Sequence, residues 1–289
     1  MKKKLLVSVS GGRTSGLMAK LLFDRYKDEY EMIFVFANTG REKEETLEFV
    51  RNLELYFGIP IIWVQAVVHY NKRKGSTHST TNFKDADRTG IVFERVIQKY
   101  GIPNTQFLHC TRELKTNPIR SYAKSIGWKD HKKYTTAIGL RADELGRIDL
   151  VKAKTEKQFY PLYEWGIKKP DVLAFWQKQL FDLNLSGEHQ GNCKMCYKKT
   201  NRKLATQILE DPSDKWIDKM EERYSYFTPT SREDKSPYYF FRNNTPFLEI
   251  AELAFDAGFV PYSDNNKINF DFELDEIEYG GCAESCEPF

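Results

Sequence analysis

The sequence predicts an α/β fold in which a mostly parallel, twisted sheet carries helices on both faces. Residues 5–9, 31–37, 59–65 and 133–140 are predicted strands, because they are short segments rich in apolar and β-branched side chains. Helical patterns separate these segments, and such alternation is typical of parallel sheets that are covered on both faces. Ligands of such sheets bind beyond the carboxyl ends of the strands.

Four helices are predicted among these strands. The first follows the turn at residue 10 and places Leu17, Met18, Leu21 and Leu22 on one face. The others cover residues 42–57, 91–99 and 118–126. The polar segment 69–90 is predicted to be a mobile loop or lid.

Two domains are predicted, residues 1–200 with the α/β pattern and a small C-terminal subdomain at 201–289. The second is expected to be mostly helical or irregular, with helices at 203–210 and 215–224. Its aromatic side chains beyond residue 224 are interpreted as core; the alternative is that they stack on nucleobases.

The amino-acid composition limits the classes of protein to which this chain can belong. The 289 residues are 40% hydrophobic and carry a formal charge of only +3, so any binding of nucleic acid has to be local. Apolar runs stay well short of the roughly 20 residues that span a membrane, and no signal peptide is recognisable. The five cysteines indicate a reducing compartment, and a cytoplasmic location is expected.

A glycine-rich turn between the first strand and the first helix predicts an anion site. Glycines let the backbone approach a ligand, and the first N–H groups of a helix attract negative charge. The residues expected to bind a nucleotide here are Ser8, Ser10, Gly11, Gly12, Arg13, Thr14 and Ser15. Neither a G-x-x-x-x-G-K-[ST] motif nor a G-x-G-x-x-G motif is present, so this is not the loop of a P-loop NTPase or of a dinucleotide-binding domain.

The pattern S-x-S-G-G-x-x-S resembles the pyrophosphate loop (PP-loop) of the adenine-nucleotide α-hydrolase superfamily. That superfamily contains ATP pyrophosphatases and phosphoadenosine phosphosulfate (PAPS) reductases. This chain has Thr14 where many members have Asp. The resemblance implies a PP-loop domain over residues 1–200 that binds an adenine nucleotide.

Two further segments resemble PAPS reductases. The first, T-G-x-x-x-x-E-T from Thr39, implies that Asn38, Thr39 and Gly40 line the nucleotide. The second is G-x-R-x-x-E-x-x-R from Gly139 to Arg147. It implies that Gly139 and Glu144 belong to the nucleotide site and that Arg141 and Arg147 are catalytic, since guanidinium groups suit phosphate or sulfate. The segment 160–172 also resembles the stretch that closes this domain.

The cysteines form a second candidate site. Cys193 and Cys196 make a C-x-x-C pair, Cys282 and Cys286 lie in the tail, and Cys110 precedes the candidate catalytic Lys115 in another reductase-like stretch. Thiolates at this spacing suit one tetrahedral centre, either Zn²⁺ or iron–sulfur. The resemblance favours a [4Fe–4S] cluster, while unligated thiols stay an alternative.

The expected function is that of a PAPS reductase-like enzyme acting at the α-phosphate of its nucleotide. In the presence of Mg²⁺, a substrate oxygen would attack the α-phosphorus of ATP, so that the substrate becomes an adenylated intermediate. Sulfur transfer to this intermediate would follow. Two alternatives stay open: a reductase of PAPS or its relative, and a non-catalytic, metal-stabilised module that binds nucleotide or nucleic acid. A sulfur donor or thiol reductant protein is an expected partner, a nucleic-acid acceptor stays open, and no membrane partner is expected.

Overall fold

A six-stranded sheet is the centre of the computed structural model, which describes residues 2–191, 193–227 and 236–264. Its strands lie in the order β4-β3-β2-β1-β5-β6. They are β1 (Lys3–Val9), β2 (Tyr30–Asn38), β3 (Ile61–Val67), β4 (Thr77–Thr81), β5 (Thr135–Ala137) and β6 (Gln158–Phe159). All neighbours are parallel except β3 and β4. The predicted α/β fold is confirmed.

Eleven α-helical segments surround the sheet in the part of the chain that the structure describes. They are α1 (Arg13–Tyr26), α2 (Glu44–Phe57), α3 (Ile91–Tyr100), α4 (His109–Thr111), α5 (Asn117–Ser125), α6 (Leu150–Glu156), α7 (Pro161–Glu164), α8 (Lys169–Trp176), α9 (Asn201–Glu210), α10 (Trp216–Tyr224) and α11 (Phe247–Phe255). A π-helical turn, Arg112–Thr116, joins α4 to α5. Short 3₁₀ turns occupy His131–Lys133, Leu145–Arg147, Glu188–Gln190 and Arg242–Asn244.

Alternate side chains of β1 enter two different cores. Leu5 and Val7 belong to a large cluster with side chains of α1, α2 and α8, whereas Leu6 packs with Ile119 and Ala123 of α5. Both faces of the strand are therefore buried, which explains why its sequence is continuously apolar.

Strand β4 corrects the prediction for residues 69–90. Within the predicted lid, β4 is an antiparallel edge strand, and Ser79 at its centre pairs with Gln65 of β3. His78 Nδ1 lies 2.8 Å from Ser121 Oγ of α5. The strand was missed because its side chains are polar, and an edge strand needs only backbone partners on one side.

The chain changes direction across the sheet at β1. Strands β2 and β3 follow on one side of β1, while β5 and β6 follow on the other. The connections that leave β1 and β5 therefore run towards opposite sides of the sheet. In α/β proteins the carboxyl ends of two such strands are the usual position of a ligand.

A second core joins the middle of the chain to its C-terminal helices. Val96 of α3, Leu114 of the π-helical turn, Leu204 of α9 and Ile250 of α11 belong to one buried cluster. This cluster contains residues from both sides of position 200. In the residues described, no helix is both long and apolar enough to cross a membrane.

Glu221 places a carboxyl group inside this region. Its oxygens accept hydrogen bonds from the backbone N–H groups of Phe240 (3.0 Å) and Phe247 (2.8 Å). Burial nevertheless raises the pKa of Glu221 from its ordinary 4.5 to about 7, because the charged form loses its hydration.

We expect Glu221 to make the protein less stable as pH rises. Its raised folded-state pKa contributes stability that is complete below pH 4.5 and is lost as pH rises through about 7. In urea unfolding, the free-energy advantage of the native protein over Glu221→Gln should therefore fall by about 3 kcal/mol across this window. Glu222→Gln, at an exposed neighbouring position, should show a constant difference. A constant difference for Glu221→Gln as well would contradict the assignment.

Candidate functional site

The glycine-rich loop begins where β1 ends and leads directly into α1. Gly11 has φ +86°, and a Cβ at this position would lie 2.5 Å from Thr46 Cγ2 of α2. Gly12 is extended and precedes the first helical residue, Arg13. Glycine at position 11 is therefore required by both backbone conformation and space.

Ser15 holds the loop from inside. Its Oγ accepts hydrogen bonds from the backbone N–H (3.0 Å) and the hydroxyl (2.9 Å) of Ser10, and it donates to the carbonyl oxygen of Gly12 (3.0 Å). Ser8 Oγ is buried beneath the loop and has no hydrogen-bond partner among the described residues. Ser10 and Ser15 therefore fix the backbone conformation that would present the N–H groups at the start of α1.

Arg13 is engaged outside the loop. Its guanidinium donates to both carboxylate oxygens of Asp182 (2.7 and 2.9 Å) and to the carbonyl oxygen of Leu183 (2.9 Å). Trp176 Nε1 donates to the carbonyl oxygen of Arg13 (2.9 Å). The geometry thus gives Arg13 a role in joining α1 to the segment after α8, and its contact with a nucleotide stays a prediction.

The segment after β5 lies against the start of α1. Arg141, which is 5% exposed, donates through Nη1 to Thr14 Oγ1 (3.2 Å) and through Nε to Asp143 (3.0 Å). Glu144 accepts from the backbone N–H of Arg141 (2.9 Å) and pairs with the guanidinium of Arg147. The structure therefore connects Arg147 to Arg141 through Glu144.

The segment after β2 contacts the chain between β4 and α3 as well as Cys193. Asn38 Nδ2 donates to Gln65 Oε1 (2.7 Å) and to the carbonyl oxygen of Asp87 (2.9 Å). A Cβ on Gly40 would lie 2.2 Å from Asp87 Oδ2. Asn38 and Gly40 therefore hold the chain between β4 and α3, while Thr39 lies near Cys193, with 3.4 Å between Oγ1 and Sγ.

Glu42 is a site residue that the sequence reasoning missed. Its carboxylate accepts from the backbone N–H (2.9 Å) and the hydroxyl (2.7 Å) of Thr39, and Oε1 lies 3.8 Å from Cys193 Sγ. Its position within the T-G-x-x-x-x-E-T segment was the sequence signal that could have identified it as a site residue. Only the folded chain shows that this carboxylate is buried beside both the loop and a thiol.

Two cavities meet at this position. The loop cavity is lined by Ser10, Gly11, Gly12, Glu42, Lys115 and Cys193, among others. The cysteine cavity is lined by all three cysteines of the described residues, Cys110, Cys193 and Cys196. Lys115 and Cys193 line both cavities, so the loop and the cysteines are neighbours in the folded chain.

The three cysteines do not complete a metal centre by themselves. Cys110 Sγ lies 3.5 Å from Tyr197 Oη, and Cys193 Sγ lies beside Thr39 and Glu42. Across residues 2–191, 193–227 and 236–264, no three His, Cys, Asp or Glu side chains are grouped closely enough to hold a metal ion. The predicted ligands Cys282 and Cys286 lie outside the described residues.

Comparison with known proteins gives relatives without a stated activity, and no family model matches the chain. An uncharacterized nin region protein of Escherichia phage lambda is 29% identical over 291 residues, which cover 98% of this chain and 94% of that protein. Two uncharacterized proteins of Methanocaldococcus jannaschii are 25% and 22% identical. They match 68% and 76% of this chain, which spans only 36% and 48% of their lengths.

We expect Gly139→Ala to destabilise the site by bringing two backbones into conflict. The new Cβ would lie 3.0 Å from Ser15 Cα and 3.2 Å from Ser15 N, and backbone atoms cannot move aside as a flexible side chain can. The expected loss is about 1–3 kcal/mol in the free energy of unfolding, measured with urea. Gly146→Ala is the matched control, since nothing lies within 4 Å of its added Cβ. Equal effects at the two positions would contradict the close approach.

Proposed function

We propose that the protein is a PP-loop enzyme that binds an adenine nucleotide with its phosphates on residues 10–15. One observation carries this proposal: the glycine-rich loop after β1 and the Arg141 segment after β5 meet where the chain changes direction across the sheet. A polyphosphate there would meet the first N–H groups of α1 and the helix dipole. The resemblance to PAPS reductases and ATP pyrophosphatases supports adenine as the base.

The charged side chains suit chemistry at the α-phosphate. Lys115 lines the loop cavity and supplies a cation beside the phosphates. Arg141 donates a hydrogen bond to Thr14 and so places positive charge behind the first turn of α1. Arg147 pairs with Glu144 and acts as a positioning residue. Mg²⁺ prefers oxygen ligands, and Glu42 provides a carboxylate in the loop cavity. These groups would stabilise negative charge as a substrate oxygen attacks the α-phosphorus and pyrophosphate leaves.

The neighbouring cysteine cavity favours sulfur transfer as the second part of the reaction. Cys193 lies on the boundary of the two cavities, so a thiol-bearing site and the nucleotide phosphates would be neighbours. A [4Fe–4S] cluster or Zn²⁺ held by Cys110, Cys193, Cys196 and one of the tail cysteines would require the three described thiols to lie closer together than they do in the structure. Such a centre, when bound, would supply thiolate-held sulfur chemistry beside the loop.

The same position of Cys193 favours a second candidate, a reductase of a sulfonucleotide such as PAPS. In that reaction a thiolate attacks the sulfur of the bound nucleotide, the S–O bond to the nucleotide breaks, and the adenosine phosphate leaves. The reduced thiol donor then releases sulfite from the thiosulfonate. Cys193 is the described cysteine that lines the loop cavity. Assays with ATP and with PAPS plus a reduced thiol donor separate the two reactions. Binding of nucleotide without turnover in either assay would favour the non-catalytic module.

Ser15→Ala should weaken ATP binding by about tenfold, or about 1.4 kcal/mol. The substitution removes the hydroxyl that holds Ser10 and Gly12, so the loop N–H groups are no longer fixed before ATP arrives. Isothermal titration calorimetry with Mg²⁺ and ATP measures the change. Ser125→Ala, at an exposed hydroxyl near the end of α5, should bind like the native protein. Unchanged affinity in Ser15→Ala would remove the loop from the proposed site.

Pyrophosphate release from ATP tests the reaction itself. Protein purified without oxygen should release pyrophosphate, and more rapidly once the acceptor is present. Lys115→Ala should lower this rate by at least tenfold, since the loop cavity loses its cation. A native protein that binds ATP but releases no pyrophosphate with any acceptor would contradict the adenylation step.

Cys196→Ser should release bound metal and lower the melting temperature. Structural thiolate sites contribute strongly to folding, and the Cys196 thiol lines the cavity with two others. Elemental analysis for iron and zinc, with an absorbance spectrum, measures the content. Lys194→Gln changes the same loop without removing a thiol and should keep the metal. Full metal content in Cys196→Ser would exclude this thiol as a ligand.

A further inference from the structure

A wide, positively charged cleft lies beside the cysteine cavity. It has a volume of about 510 Å³ and is open to solvent. Four of its lining side chains are cations: Arg112, Arg120, Lys152 and Lys198. We call this surface the basic cleft. None of its residues was among the predicted site residues.

Cations outnumber carboxylates among the side chains that line the basic cleft. Glu156 is the one carboxylate of this described lining, and its Oε2 lies 3.2 Å from Arg120 Nη2. Arg112 contacts the buried Glu113 through Nε, and 57% of its side chain is exposed. The lining therefore has four cations to one carboxylate, in a chain whose total charge is only +3.

The basic cleft borders the cysteine cavity. Thr111 and Lys198 line both the cleft and the cysteine cavity. Lys115 and Cys193 in turn line both the cysteine cavity and the loop cavity. A ligand held in the cleft would therefore lie beside the region where we place the chemistry.

The uncharged residues of the cleft define what kind of anion fits. Three threonines, Thr111, Thr116 and Thr155, add hydroxyl donors to the cations, and such donors are common at nucleic-acid phosphates. Among the described lining residues there is no aromatic side chain, and Leu108 is the only aliphatic one. The cleft thus offers neither stacking platforms for bases nor the apolar pockets that peptide recognition uses.

We propose that the basic cleft binds the sugar–phosphate backbone of a nucleic-acid strand and brings one nucleotide of it to the cysteine cavity. The role of this nucleotide as the acceptor rests on the proposed function, whereas binding of the strand does not. Recognition through phosphates alone is independent of base sequence and depends strongly on salt. The substrate class of the enzyme would then be a nucleic acid and not a small metabolite.

The test is fluorescence anisotropy with labelled 12-nucleotide single strands of DNA and of RNA, titrated with the full-length protein at several salt concentrations. The test variant is Lys152→Gln/Lys198→Gln, which leaves the Arg112–Glu113 and Arg120–Glu156 pairs intact. The matched control is Lys178→Gln/Lys219→Gln, which makes the same change in charge at two exposed positions outside the cleft. Melting temperatures show that each variant is folded.

The test variant should bind at least tenfold more weakly than the native protein, and the control should stay within about twofold. The slope of log K against log salt should also become shallower by about 1.4 in the test variant, because two phosphate contacts are lost. Equal weakening in both variants would mean that only net charge matters and would overturn the proposal. Equally tight binding of a polyglutamate peptide, or no binding of either strand, would overturn it too.

ATP binding by the native protein separates this inference from the proposed function. If the strands bind in the cleft but ATP does not bind, the proposed nucleotide site is contradicted and the proposed strand binding is supported. If ATP binds and the strands do not, only the proposed strand binding is contradicted. If both bind, pyrophosphate release should increase with the strand that serves as acceptor, and comparison of DNA with RNA identifies its chemistry.

Discussion

The close approach of two backbones at the carboxyl ends of β1 and β5 is the constraint on which the candidate site depends. Gly139 lies so near Ser15 that a Cβ would have 3.0 Å to the Ser15 Cα. This contact places Arg141 at Thr14, in the first turn of α1. Ser15 also holds Ser10 and Gly12 by hydrogen bonds. One small region therefore determines both the conformation of the loop and the position of the Arg141 guanidinium.

Glu42 extends this arrangement from the loop to the cysteines. Both of its oxygens accept hydrogen bonds from Thr39, which fixes the turn after β2, and the same carboxylate lies 3.8 Å from the Cys193 thiol. A carboxylate has further lone pairs for a cation or a thiol proton. The position of Cys193 is thus coupled to an element of the sheet, although the cysteine itself belongs to a loop late in the chain.

Local pattern was sufficient to predict the sheet but not the partners of individual side chains. The strand β1 could be predicted because burial on both faces requires a continuously apolar segment. Strand β4 could not, since its pairing with β3 uses backbone groups and leaves no hydrophobic pattern. The loop glycines were recognisable from their spacing. The pairing of Arg13 with Asp182, 169 residues away, depends on tertiary structure alone.

The helical segment from α4 to α5 explains how one stretch of sequence can serve two binding surfaces. Its π-helical turn is closed by a hydrogen bond from the Asn117 N–H to the carbonyl oxygen of Arg112. Lys115, within this turn, lines the loop and cysteine cavities, whereas Arg112 and Thr116 line the basic cleft. Wide turns of this kind are frequent at functional sites. A strand bound in the cleft and a nucleotide bound on the loop would therefore both contact side chains of this single turn. A shift of the turn would change the positions of lining side chains at both sites.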